Sequence, residues 1–300
     1  MQGLSCYTAA LHGYLAAEWD ATAMIARSVR LAVRPDSVRG ELAFSHHEPS
    51  LDLLPDGSRL RYAGAASSTD ALPEVAAELD RHGRVVVVVD SARLPWSVTH
   101  GGPSAPHWLL VEGRGEPGWQ VRDSFTALLP AGEQLPYHGW LSTDGLIEAM
   151  TLPRQWQPVH RLRNQFAFGG RSVASPSGAL WLHRRHGSQA RAIAVTAEQN
   201  WLIGDAQVLP FLADHAAGGQ AVITEHLEDL WAAAGHRSFA YRWQLAQVRD
   251  QDTRQSLETA LVQWEALPRL LRVAVESSVR GRPRPTLVPA ALQRLRQLSC

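Results

Sequence analysis

The residues whose types and spacing can do chemistry together are Cys6, His107 and Asp123. Cys6 sits in Gln2-Gly3-Leu4-Ser5-Cys6-Tyr7-Thr8-Ala9, where a short small-residue stretch runs into helical spacing. A thiol at a helix N-terminus meets the positive end of the helix dipole and free backbone N–H groups, both of which stabilise thiolate. His107 follows Pro106 at the start of a strand pattern, and Asp123 closes the next one. Cysteine as nucleophile, histidine as base and aspartate as the group that orients the base form a working set for acyl transfer.

Each has an ordinary reading beside the chemical one. A free cysteine usually packs as a small buried hydrophobe. His107 is one of thirteen histidines, and an aspartate after a strand commonly caps a turn. The case rests on the three standing where one constellation needs them.

The elements that must position them can be read from periodicity. Residues 7–30 carry helical spacing in Leu11, Leu15, Trp19, Met24, Ile25 and Val29. Ala71–His82 is predicted as a helix stopped by Gly83. Arg84–Asp90 holds five consecutive valines, the pattern of a central strand covered on both faces. Residues 91–105 form a loop around Gly101-Gly102-Pro103. His107–Gly113 and Gly118–Ser124 flank Gly115-Glu116-Pro117-Gly118 as a hairpin. Pairing Val111 with Trp119 sets Leu109 against Val121 and His107 against Asp123, all on one face; a one-residue slip would separate the last two.

After about residue 145 the expected pattern is helical: Ala190–Leu202, Val208–Ala217, Val222–Ala234, Phe239–Ala260 and Leu261–Val279, punctuated by Gly218-Gly219, Gly235 and the Arg/Pro stretch 280–285. Residues 31–70 read as mixed, with a short strand or turn at 51–57. The fold class expected is α+β: a catalytic domain over 1–148 with a small antiparallel sheet and an N-terminal nucleophile helix, then a mostly helical domain over 149–300.

Charge and composition narrow the partners. Lys+Arg and Asp+Glu balance at 29 each, giving no electrostatic case for nucleic acid or an acidic membrane. Every basic side chain apart from histidine is arginine, which excludes a lysine Schiff base. Two cysteines, Cys6 and Cys300, make no disulfide framework. No basic start leads into an apolar run, and no apolar run is long enough to cross a bilayer. The chain is therefore expected in the cytoplasm, without a membrane or nucleic-acid partner. His46-His47 and His183-Arg184-Arg185-His186 lack carboxylate or Cys at ligand spacing, so solvated loops are expected there and no metal. Gly113-Arg114-Gly115 is a turn, not a phosphate loop. The Arg-rich 280–296 stretch reads as linker and solvated helix face.

Three stretches together resemble a known family. Val86–Trp96, then His107-Trp108-Leu109-Leu110-Val111-Glu112-Gly113, then Val121-Arg122-Asp123 are similar to the N-terminal domain of the butirosin biosynthesis protein H family. Gly235-His236-Arg237-Ser238-Phe239-Ala240-Tyr241-Arg242-Trp243 and Trp264-Glu265 resemble its helical domain. Ser5 stands where that family often has His.

The resemblance implies a papain-like fold with catalytic Cys6, His107 and Asp123. Gln2 becomes a candidate oxyanion donor, because papain-like enzymes place a glutamine a few residues before the cysteine; the Cys6 backbone N–H is the other candidate. The activity implied is cysteine-dependent acyl transfer in secondary-metabolite biosynthesis. Its donor would be a thioester on an acyl or peptidyl carrier protein. The acyl group would pass through acyl-Cys6 to a small-molecule amine or other nucleophile, or into chain-releasing cyclisation. No cofactor is implied beyond the carrier's phosphopantetheine arm. A cysteine peptidase or amidase on the same fold, and a non-catalytic biosynthetic scaffold, remain the alternatives.

Overall fold

Five consecutive valines lose little by pleating and gain much by burial, and in the computed structural model they form the middle of the main sheet. The model describes residues 3–35, 41–129, 131–172, 178–186, 200–218 and 220–298. Gln2 and Cys300 lie outside them, as does most of the helix expected at 190–202.

The N-terminal helical spacing resolves into two helices, α1 (Cys6–Leu15) and α2 (Ala21–Ser28), capped by Ser5 and Asp20. The stretch read as mixed holds three strands: β1 (Val29–Pro35), β2 (Leu42–His47) and β3 (Arg59–Ala65). Then come α3 (Ser68–His82), β4 (Val85–Asp90), β5 (Pro106–Gly115), β6 (Gly118–Asp123), the small hairpin β7 (Ala127–Leu129) and β8 (Gly132–Gln134), and β9 (Tyr137–Leu141). Helix α3 ends where expected, with Gly83 at φ 70°, the left-handed region that glycine enters freely. Beyond lie α4 (Thr143–Met150), α5 (Pro158–Gln165), β10 (Ala179–Arg185) and β11 (Leu202–Ile203). The chain finishes with α6 (Asp205–Ala217), α7 (Gln220–Glu225), α8 (Leu227–Gln247), α9 (Gln251–Val279) and α10 (Leu287–Leu298).

The main sheet has the order β3-β10-β4-β5-β6-β9, and each neighbouring pair is antiparallel. Its two faces are both dry. Leu4, Leu11 and Leu15 cover Val86, Val88, Trp108 and Leu110 on one side. Val75, Leu79, Leu146 and Met150, from α3 and α4, cover Val85, Val87, Val89 and Val111 on the other. A second core joins the β1–β2 hairpin to the C-terminal helices: Leu31, Val33 and Phe44 pack with Leu212, Leu230, Trp264, Leu271 and Leu292. The mixed α+β class and the helical C-terminal half are as expected from sequence.

The expected division at 148/149 cuts through both cores. β10, from beyond it, lies between β3 and β4 in the main sheet; β1 and β2, from before it, belong to the helical core. Hydrophobic period alone cannot tell which of two cores a strand enters. The expected break at Gly235 is also absent: α8 runs through it, and the chain breaks at 248–250 instead. Among the described residues no helix is long and apolar enough to cross a membrane.

Candidate active site

Cys6 occupies the first position of α1, directly after its N-cap. Ser5 Oγ accepts the Thr8 N–H at 3.4 Å, and Ser5 O accepts the Ala9 N–H at 2.8 Å. The Cys6 N–H, at the first helical position, has no acceptor within the helix. Cys6, His107 and Asp123 line one cavity of about 380 Å³.

His107 and Asp123 are brought together, but not in the expected register. The observed pairs are Val111↔Val121 and Leu110↔Arg122, two residues away from the expected 111/119. An even slip preserves faces, so both side chains still point the same way, as diagonal rather than direct neighbours. A bulge accounts for this. Near the turn the pairs are Gly115↔Gly118, Arg114↔Trp119 and Gly113↔Gln120. Continued unbroken, that register would put Asp123 opposite Leu110, on the face away from His107. Glu112 is the extra residue, and its insertion restores the shared face.

His107 Nε2 bonds Asp123 Oδ2 at 2.9 Å, with both residues buried. That leaves Nδ1 for sulfur. Burial opposes the charged imidazole, but the Asp123 carboxylate and Cys6, by charge and by hydrogen bonding, outweigh it. The pKa of His107 is held well above its usual range. Burial likewise opposes ionisation of Asp123, yet His107, Trp96 and the Phe125 N–H together lower its pKa. Asp123 is thus placed to stabilise the imidazolium form of His107.

Trp96, Phe125 and the α5 residues of the site were not singled out as site residues by the sequence. Trp96 Nε1 donates to Asp123 Oδ2 at 2.9 Å, while its ring stacks on Tyr137 at 3.9 Å and 6°. The Leu94-Pro95-Trp96 motif was visible, but its target was not. Phe125 stands edge-on between His107 and Trp231 of α8, with ring centroids at 5.5 and 5.6 Å. Helix α5 and its N-cap add Gln157, His160 and Arg163 to the cavity wall, and α8 adds Glu228, Trp231 and Ala232. Arg163 is clamped by Asp229 at 2.8 and 3.0 Å and by Glu228 at 2.5 Å. Burial, with Arg163 nearby, holds His160 below its usual range. No local pattern marks these residues, because two helices distant in sequence deliver them.

His46-His47 lie in β2 and His183-Arg184-Arg185 in β10, not in loops, while His186 follows the strand and is exposed. His46 and His47 are buried in β2; His47 Nε2 meets Thr8 Oγ1 at 2.9 Å and its Nδ1 meets Ser28 Oγ at 3.0 Å. In β10, Arg184 is buried against Glu18, Asp56 and Ser58. A strand whose polar residues find partners inside looks like a surface strand in sequence. Among the described residues, no group of three or more His, Cys, Asp or Glu is arranged to hold a metal ion.

The tryptophans of the C-terminal half sit in different surroundings. Trp264 is core, Trp231 faces the cavity and Trp243 lies under Arg27 at 5.2 Å. Trp201 precedes β11 and packs on Phe166 at 5.2 Å. No family model matches the chain, and no curated protein matches it.

Proposed function

We propose that this protein is a cysteine-dependent acyltransferase that takes an acyl group from a carrier-protein thioester through an acyl-Cys6 intermediate. The observation that carries the proposal is the convergence, in one cavity, of a thiol at a helix start and a buried His107–Asp123 pair. The resemblance to the butirosin biosynthesis protein H family supports the choice of donor, and supports a papain-like reading of the fold.

His107 Nδ1 takes the Cys6 proton, and Asp123 stabilises the imidazolium. The thiolate adds to the thioester carbonyl carbon, and the Cys6 backbone N–H donates to the oxyanion. Collapse breaks the carbon–sulfur bond to the pantetheine arm, whose sulfur takes the proton from His107. One thioester replaces another, so the step is near balance. An amine or other nucleophile then attacks acyl-Cys6, giving its proton to His107 as the Cys6 thiolate leaves. The mostly apolar surface of Phe125, Leu129, Trp231 and Ala232 gives the acyl chain a place to lie.

A carrier protein bearing a chloroacetyl-pantetheine arm tests the reading. Intact mass should reveal a covalent complex with the wild type and none with Cys6→Ala. Absence of the complex, together with cleavage of unmodified peptides, would favour a thiol hydrolase. Absence of both would favour a scaffold.

A further inference from the structure

The N-terminal segment that delivers Cys6 is held from the far end of the chain. Gly3 lies against Gly235 of α8 so closely that a Cβ on Gly235 would stand 1.5 Å from the Gly3 carbonyl oxygen. One residue on, fully buried His236 accepts the Ser5 backbone N–H on Nε2 at 3.2 Å, with Ser5 Oγ at 3.1 Å from the same nitrogen.

The proton directions follow from the partners. A backbone N–H can only donate, so His236 Nε2 is an acceptor and its proton sits on Nδ1. Ser28 Oγ donates to Ile25 O, so it accepts from His47 Nδ1. His47 Nε2 then accepts from Thr8 Oγ1, and Thr8 Oγ1 accepts from Ser5 Oγ at 3.1 Å. Ser5 Oγ in turn caps the Thr8 N–H. The chain has one consistent direction, and it pins the residue before the nucleophile at both its backbone and its side chain.

We infer that His236 is a positioning residue for the nucleophile: from α8 it fixes the Ser5 cap, and so the direction in which the Cys6 N–H points at the reacting carbonyl. The inference rests on the proposed acyl-cysteine chemistry. Among the described residues the hydrogen bonds of His236 go to Ser5 and not to Cys6, His107 or Asp123, so it acts on the oxyanion donor and not on the fraction of thiolate. Carbonyl attack needs that donor; alkylation of the thiol does not.

The experiment compares these two reactions in the full-length protein. p-Nitrophenyl acetate reports acylation of Cys6, and iodoacetamide reports thiolate as a function of pH. His236→Gln, whose amide oxygen can reach the Nε2 position, should acylate within about threefold of wild type. His236→Leu and His236→Asn, which offer no acceptor there, should acylate about tenfold more slowly, with the alkylation pH midpoint unmoved in all three. If His236→Leu does not fold, the Asn and Gln variants carry the comparison. Equal acylation by all variants would overturn the inference, as would a parallel fall of acylation and alkylation, which marks a merely structural role. A wild type whose Cys6 p-nitrophenyl acetate does not acylate would sink the proposed function itself, whatever the His236 variants do.

Discussion

Trp96 donates its indole N–H to the same oxygen of Asp123 that binds His107, each at 2.9 Å. The carboxylate bonded to His107 is therefore itself held, by a side chain lying flat against Tyr137. Trp96→Phe keeps the stacked ring and removes the donor. A hydrogen bond to a buried charge is worth about 1.5–3 kcal/mol. Urea denaturation should register a loss of that size, and acyl transfer should slow by roughly tenfold. Unchanged transfer in a destabilised Trp96→Phe would mean that His107 holds Asp123 unaided.

The three residues at the cavity should separate by role. Cys6→Ala should form no acyl-enzyme. His107→Ala should lose about 10²–10⁴-fold in transfer, the span of general acid–base catalysis. Asp123→Asn should retain more activity than His107→Ala, because it orients and does not move the proton. Single-turnover acylation followed by mass spectrometry ranks them, and wild-type rates in Cys6→Ala would refute covalent catalysis.

Gly235→Ala offers a test with an unusual sign. In an ordinary helix interior this substitution stabilises by about 1 kcal/mol. Here the new methyl would meet the Gly3 carbonyl, so either the N-terminal segment or α8 must shift. The expected result is a lower thermal midpoint and slower acylation of Cys6. A stabilised, fully active variant would mean that the contact yields without moving the nucleophile.

Acid should weaken the protein through its buried histidines. Burial holds His46 down to about 4, and His47 and His236 well below their usual range. A histidine with a lowered folded pKa binds more protons when unfolded, so stability falls as pH drops below its unfolded value of about 6.5. Each can contribute up to about 1.4 kcal/mol per pH unit until its folded pKa is reached. His12, His82, His160, His183 and His215 are shifted the same way. His107 has the opposite sign: its raised folded pKa gives stability that is full below about 6.5 and lost as pH rises through the folded value. Between pH 6.5 and 5 the lowered histidines dominate, and the urea midpoint should fall steadily. His47→Gln should flatten that fall. A midpoint constant across the interval would contradict the neutral, buried assignment.

Residues 1–150 expressed alone should not fold. They lack β10, which contributes Leu180 and Leu182 to one face of the sheet and Trp181 to the other. They also lack the helices that cover Leu31, Val33 and Phe44. Circular dichroism and acylation of Cys6 would check this; a soluble, active fragment would show that these contacts are dispensable.

Local chemistry was legible in the chain. Small residues before a helical period placed Cys6 at a helix start, five valines announced β4, and the Gly-Glu-Pro-Gly turn announced the hairpin that carries His107 and Asp123. These features depend on neighbours a few residues away, where backbone sterics and periodicity rule. The tertiary structure decided the rest. Glu112 bulges out of the ladder, and that alone returns His107 and Asp123 to one face, because pairing parity belongs to two strands and not to either. β10 crosses into the main sheet and β1–β2 into the helical core, because a strand's hydrogen-bond partners are not written in its own period. His46 and His47 are buried because Thr8, Ser28 and α8 surround them, and Gly235 is an approach point instead of a helix end because Gly3 arrives there. Each of these outcomes is set by a contact between segments far apart in the chain.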